Sequence, residues 1–376
     1  MNKVLFSTTS FDTIDNGPAL FANLLHNKLN ESTDYELKIL SEDLKDKSKI
    51  RPKLYKLNLK QTKWNSFFYQ FIRMFKYHKS AVAINKEFNY DVLVYNNAFT
   101  GIISTLKSKQ PVVVMVNDDN KIAYENKSLS FEKTYFKYKT LYYIEKRAAR
   151  NANTVIVNSK YMKSLLNEVY DVEENKIKIL IKGIDLKKYH FKIREKLNNP
   201  VHVLFVKADY NRGGLFDLID ALSIIQDYKV KLSVIGPPLN SINSIKEYIT
   251  QKGLKDYDLN GPLHPEKVKK YFDSADIFCV PSHKEALGVA NMEALASGIP
   301  VISTNVGGIP EVLDYGKCGW LVNANSPLEL SEAIKECIKN STLRIKKSKL
   351  GYKHVQQFNS DNLIDNFLNI LKEVKS

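Results

Sequence analysis

The 376-residue chain has only three cysteines, Cys279, Cys318 and Cys337, odd in number and far apart. That excludes a disulfide framework and a cysteine-based zinc site, and it fits a reducing compartment. No run of about 18 apolar residues occurs, so no membrane-spanning helix is expected. The first residues, Met1–Ser7, carry too short an apolar stretch for a signal peptide. With 15 glycines, 12 prolines, 44% hydrophobic and 26% charged residues, collagen-like, low-complexity and disordered chains are excluded. The seven histidines form no H-x-x-x-H pair or Cys/His cluster, and no G-x-S-x-G is present, so ordinary metal and hydrolase motifs are missing. What remains is a cytoplasmic globular protein, long enough for two cores.

Acidic residues are missing locally. Residues 1–200 hold 35 Lys/Arg against 21 Asp/Glu, whereas residues 201–376 hold 21 against 20. Between Arg51 and Lys86 there are nine Lys/Arg and no acidic residue. One half therefore faces something anionic, and the other does not need to. Trp64, Phe67, Phe68, Phe71, Ile72 and Phe75 in that stretch fall on one helical face. Two readings stand: a core helix, or a basic aromatic helix docked on an anionic membrane, placing the protein peripherally on the inner face of the cell membrane. No zinc-finger spacing, RNP-like sequence or helix-turn-helix supports a nucleic-acid partner.

Short β-rich runs alternate with helical patterns. Val4–Thr8, Tyr35–Leu40, Asp91–Tyr95, Val112–Val116 and Thr154–Val157 read as strands with helices between them. The pattern restarts at Val201–Val206, Val230–Ile235, Ile277–Val280 and Val301–Ser303. This is an α/β succession with parallel sheets. The polar stretch Lys187–Pro200 reads as a linker, and two Rossmann-like halves would face each other across a cleft. Ligands in such sheets bind outside the carboxyl ends of the strands.

The stretch richest in chemistry runs from Ala275 through Pro281-Ser282-His283-Lys284-Glu285-Ala286-Leu287-Gly288 to Glu293-Ala294, then Gly298-Ile299-Pro300-Val301 and Gly307-Gly308-Ile309-Pro310-Glu311. A strand ends at Pro281, a loop carries Glu285, and a helix starting near Gly288 carries Glu293. Backbone N–H groups at that helix start can bind phosphate, and Gly288 lets a ligand approach the backbone. Asp256-Tyr257-Asp258 is better explained by turn chemistry than by a metal.

This block resembles the Glu-x7-Glu donor signature of the retaining family-4 glycosyltransferases, which have the GT-B fold. The resemblance implies that Glu285 contacts the donor sugar, that Glu293 contacts the ribose, and that Ala286, Leu287, Gly288 and Val289 line the donor. Ala286-Leu287-Gly288 stands where the family usually has Gly/Pro-Phe-Gly. Phe205–Gly214 is similar to the family's diphosphate strand-loop, with Lys207-Ala208 in place of Gly-Arg and Arg212 in place of a later Lys; Arg212, then Lys207, would bind the diphosphate. Asp15–Ala19, with Gly17, resembles the glycine loop near donor phosphate and acceptor. Asn117-Asp118 falls where the family often has His-Asp and would contact the acceptor.

The resemblance further implies an acceptor-binding domain over 1–188, with 360–376 packing back on it, and a nucleotide-sugar domain over 189–359. The reaction would be retaining transfer of a hexosyl group, from a UDP-linked donor, to a hydroxyl of a glycan, lipid-linked or polymeric acceptor in cell-surface glycan assembly. No metal or other cofactor is expected. Two further readings stay open: a GT-B sugar-nucleotide epimerase, and a non-catalytic sugar-nucleotide-binding scaffold.

Overall fold

A computed structural model describes residues 1–12, 17–30, 32–44, 53–57, 59, 66–118 and 133–375. It falls into two units. The first joins Met1–Lys182 to Asn362–Ser376, and the second is Gly183–Asp361. The crossings lie at 182/183 and 361/362, beside the expected 188/189 and 359/360.

The first unit carries β1 (Asn2–Thr8), β2 (Tyr35–Ser41), β3 (Leu54–Lys56), β4 (Val92–Tyr95), β5 (Val112–Val116), β6 (Thr154–Val157) and β7 (Ile177–Ile179), in the order β3-β2-β1-β4-β5-β6-β7. The second carries β8 (Val201–Val206), β9 (Val230–Ile235), β10 (Tyr257–Asn260), β11 (Ile277–Val280), β12 (Val301–Thr304) and β13 (Trp320–Val322), in the order β10-β9-β8-β11-β12-β13. All pairings among these strands are parallel. β4, β5, β6 and β11 are buried along their whole length, which is why they read as unbroken Val/Ile/Leu/Met/Phe runs rather than alternating ones. Both sheets reverse direction of growth beside their first strand, at β1/β4 and at β8/β11. These are the switch points where open α/β sheets bind ligands.

The expected strands form, several with the expected ends. Of the four other strands, β10 has four residues and β3, β7 and β13 have three each, too few for any period to show. The last helix, Leu363–Lys375, lays Leu363, Ile364, Phe367, Leu368 and Leu371 into the first unit's core. The Phe367 ring meets those of Phe6 and Phe21 edge-on, with centroids 6.2 and 5.2 Å away. Removing such a buried ring costs about 3–5 kcal/mol.

Two expectations are corrected. The stretch Lys187–Pro200 belongs to the second unit and, though largely exposed, is anchored to it by one buried residue. Its Arg194 is buried and donates to the carbonyls of Phe272, Ala275 and Ser297 at 2.6, 2.9 and 2.6 Å. These lie at the ends of the helices Pro265–Ser274 and Val289–Ala296, where carbonyls lack intrahelical partners and a cation is favoured. Charge in the sequence suggested solvent; here it satisfies buried backbone.

The second correction concerns the basic helix, Ser66–Phe88. Its buried stripe is Met74, Tyr77, Ala81, Ile84 and Phe88, while Ile72 and Phe75 are 49% and 64% exposed. Phe71 is half-buried, so the described residues of the expected face do not form the buried stripe, which has aromatics of its own in Tyr77 and Phe88. Trp64 and the side chains of Phe67 and Phe68 lie outside the described residues. Arg73 is bound internally, to Glu42 at 2.7 Å, and Tyr77 donates to Thr8 O at 2.8 Å. No helix among the described residues is long and apolar enough to cross a membrane.

Candidate functional site

In the second unit Lys207 and Arg212 follow the carboxyl end of β8, and His283 and Glu285 follow that of β11. The loop after β11 carries Glu285 and is fixed from β12: Ser303 Oγ donates to Val280 O at 2.7 Å, and Thr304 Oγ1 to Ser282 O at 2.5 Å. Gly308 N–H donates to Glu285 O at 3.1 Å. A Cβ at Gly307 would lie 1.7 Å from Glu285 O, and one at Gly308 2.4 Å from Ala286 O. No side chain fits there, so the Gly-Gly pair is what allows the Glu285 loop to seat. Ala286 and Leu287 are buried; their side chains serve the core. Gly288 has φ +96°, the left-handed region that glycine occupies without strain, and opens the helix Val289–Ala296 with no side-chain cap.

Lys207 follows β8, and its Nζ donates to Glu285 Oε2. Both side chains are about one-fifth exposed, at 20% and 23%. Arg212 joins the same region through its backbone: its carbonyl accepts from His283 N–H at 2.8 Å, and its N–H donates to Asp209 Oδ1 at 3.1 Å. Its Nε lies 4.0 Å from Asp209 Oδ2. His283 Nε2 is 2.8 Å from Asp217 Oδ2, a rim pair.

Glu293 has a different partner from Glu285. Tyr189 donates its hydroxyl to Glu293 Oε1 at 2.6 Å. Burial pushes the Glu293 carboxyl above its ordinary range, and the Tyr189 hydrogen bond partly opposes that shift. Burial and the carboxylate together raise the Tyr189 hydroxyl strongly. Both residues line a cavity of about 200 Å³ with Leu263, Pro265, Val268 and Phe272. Lys188, Glu266 and Lys269 complete the lining; apolar side chains with a few polar and charged groups among them are the usual make-up of a small-molecule site. Asp258 is taken up on β10 by Lys231 at 2.9 Å and Ser233 at 3.3 Å.

The first unit's strand ends are built differently. Asn96, Asn117 and Asn158 are the first residues after β4, β5 and β6. Asn117 Nδ2 donates to Asn96 O at 2.6 Å, and Asn158 Nδ2 to Asn117 O at 3.1 Å. Asn96 Nδ2 reaches Thr8 Oγ1 at 3.2 Å and Pro18 O at 2.9 Å. Lys182, three residues past β7, donates to Asn117 Oδ1 at 2.7 Å. Asn117 is thereby engaged through both ends of its amide. Asp118 follows it, partly buried. Gly17 opens the helix Gly17–Leu29 beside open space; Asp15 and Asn16 lie outside the described residues.

The structure thus brings Glu285, Lys207 and the Gly288 helix start together, with Arg212 tied in through its backbone. Lys182, Tyr189, Asp217 and the asparagine series were not anticipated. A signal existed for the last: three apolar strands each end in Asn, in Val-Tyr-Asn, Met-Val-Asn and Ile-Val-Asn.

Comparison with known proteins follows the same division. Residues 25–188 match the model described as Glycosyltransferase Family 4, and residues 187–354 the one described as Glycosyl transferases group 1. An uncharacterized 41.2 kDa protein in the cps region of Klebsiella pneumoniae is 25% identical over 317 residues, 79% of this chain and 83% of that protein. The capsular polysaccharide biosynthesis glycosyltransferase CapM of Staphylococcus aureus is 31% identical over 248 residues, 61% of this chain and 63% of CapM, so less than two thirds of that relative is spanned. Among solved structures, sucrose-phosphate synthase from Thermosynechococcus elongatus superposes with a TM-score of 0.82 at 17% identity, over 100% of this chain and 99% of that one. Anabaena HepE, in complex with UDP-glucose, superposes with a TM-score of 0.75 at 16% identity, over 99% and 100%. Two family models in tandem, two parallel α/β units and whole-chain superposition agree: the chain belongs to the family-4 glycosyltransferases, with the GT-B fold.

Proposed function

We propose that this protein transfers a hexosyl group from a nucleotide sugar, UDP-linked, to an acceptor hydroxyl with retention of anomeric configuration, in the assembly of a cell-surface polysaccharide. The observation that carries the reading is the Lys207–Glu285 pair beside the Gly288 helix start. A carboxylate suited to sugar hydroxyls, a cation and uncapped helical N–H groups occupy one strand-end crevice. In this reading Glu285 orients the sugar, and Glu293 holds the ribose. Lys207, Arg212 and the N–H groups from Val289 onward stabilise the departing diphosphate. Oriented donors of that kind lower a barrier without reorganising during the reaction, and no metal is required. The first unit takes the acceptor, with Gly17 and the Asn117-Asp118 turn at its strand ends. The name of CapM speaks of capsular polysaccharide, and HepE has been crystallised with UDP-glucose; both lend weight to the donor and pathway class.

The test is calorimetric titration with a panel of nucleotide sugars, wild type beside Glu285→Ala, followed by product analysis by NMR. Selective binding of one donor, weakened in the variant, and a product of unchanged anomeric configuration are expected, with activity unaffected by EDTA. Transfer unchanged in Glu285→Ala overturns the assignment, and an isomerised donor without any acceptor would identify an epimerase instead.

A membrane role belongs to the same reading. Ile72, Phe75, Lys79 and Val82 share one exposed stripe of the helix Ser66–Phe88. Apolar side chains flanked by lysine suit an anionic leaflet, where each cation contributes about 1 kcal/mol. Flotation with anionic liposomes should be salt-sensitive and lost on Phe75→Glu; failure to float at low salt overturns it.

A further inference from the structure

Lys182 has no place in the reading above, yet it is the most unusual charge of the first unit. Its ammonium contacts two amide oxygens, Asn117 Oδ1 at 2.7 Å and Asn96 Oδ1 at 3.5 Å, and lies 5.0 Å over the Phe21 ring. Among the described residues no carboxylate is paired with it. Lys182 is half-buried; amide dipoles and a ring face do not neutralise a cation partly withdrawn from water, and burial brings this ammonium down to about 7. An ammonium has three N–H donors, and at most two are used here. Next in the same network, Asn158 Oδ1 is buried and has no hydrogen-bond partner. A protein would hold an uncompensated cation at the carboxyl ends of parallel strands, in a side-chain network with an unmet acceptor, if a ligand completes the charge.

We infer that Lys182 is a binding residue for an oxyanion, a phosphate or carboxylate on a hydroxylated ligand, and that Asn117 is its positioning residue. The ligand's charge pairs with Lys182 through the N–H donor that Asn117 and Asn96 leave over. The geometry explains why Asn117 spends both ends of its amide inside the protein: Nδ2 is anchored to Asn96 O, which fixes the direction of the Oδ1 that holds the ammonium. The inference deepens the transferase reading and rests on it for the source of the anion, which is either the donor's diphosphate or an acidic group of the acceptor.

The experiment is calorimetry on the full chain at pH 7 and low salt with three probes: UDP, inorganic phosphate and glucuronate. Wild type is compared with Lys182→Met and Lys182→Arg. A charge-assisted hydrogen bond lost to Met should weaken at least one probe by about 10- to 100-fold, with Arg keeping more of the affinity than Met. Weakened UDP binding assigns the anion to the donor. Unchanged UDP binding with weakened phosphate or glucuronate assigns it to the acceptor. A wild type that binds no UDP, but binds phosphate through Lys182, supports the site while overturning the transferase reading. All three probes binding Lys182→Met as they bind wild type overturns the inference. Should Lys182→Met fail to fold, Asn117→Ala leaves the charge in place without its holder and should lose several-fold; unchanged affinity there overturns the inference equally.

Discussion

The two sets of strand ends solve one problem by different means. In the second unit the loops are shaped by backbone: Gly307 and Gly308 press on the carbonyls of Glu285 and Ala286, and Gly214 on that of Pro281, where a Cβ would lie 2.1 Å away. In the first unit they are tied by side chains, with asparagine amides reaching from strand end to strand end and a lysine closing the series. The first device demands a particular residue at a particular place, because any other collides. The second uses residues that occur in many loops. The functional consequence is a carboxylate–lysine pair held by rigid backbone in one unit, and a lone ammonium held by amides in the other.

The largest test of the contrast is Glu285→Ala, expected to lower kcat by about 10²- to 10³-fold while far-UV circular dichroism stays native. A loss below tenfold would remove Glu285 from the chemistry. Gly307→Ala follows. Its φ is +57° and the added Cβ would meet Glu285 O, so the loop must shift, and a displacement near 1 Å costs about 10²-fold in rate. If the second unit is shaped by backbone, this variant should be nearly as inactive as Glu285→Ala while Asn158→Ala in the first unit is much milder; equal, small losses would break the comparison.

Lys207→Met should weaken UDP binding by about tenfold, the worth of one charge-assisted contact. Because Lys207 and Glu285 touch, the double variant should lose less than the two single losses added, and strict additivity would show that the pair is not a unit.

The smallest effect concerns stability. Burial brings the Lys182 ammonium down to about 7 in the folded chain, against about 10.4 when unfolded. Between those values the unfolded chain binds the extra proton, so stability from this group rises with pH across that window, and the cost of the buried charge is fully present below 7. Lys182→Met is therefore expected to raise the melting temperature, more at pH 6 than at pH 9.5. An equal shift at both would mean the ammonium is solvated. Lys207→Met, whose partner is a carboxylate, should show no such gain.

Legibility divided along the same line. The strands β5, β6, β8, β9 and β11 were readable because each is a short run rich in Val, Ile, Leu and Phe, bounded by turn residues. The Glu285 loop was readable because glycine and proline at fixed spacing report backbone geometry. Tyr189 was not, because it meets Glu293 across 104 positions of sequence. Arg194 was misread, because a charged stretch in sequence carries no record of the buried carbonyls it will satisfy. The aromatic period around Phe71 was real, but period alone does not say which of two apolar faces meets the sheet; Met74, Tyr77 and Ala81 do.

By itself, then, the sequence determined the α/β class, the two-unit division and the backbone of the Glu285 loop, because these rest on local periodicity and on steric demands that only glycine meets. Tertiary structure alone decided that Lys207 pairs with Glu285, that Tyr189 holds Glu293, and that Lys182 ends as a cation among amides. Those outcomes depend on distant residues converging at strand ends, and ordinary Lys, Tyr and Asn reveal their roles only when burial removes the water that would otherwise have been their partner.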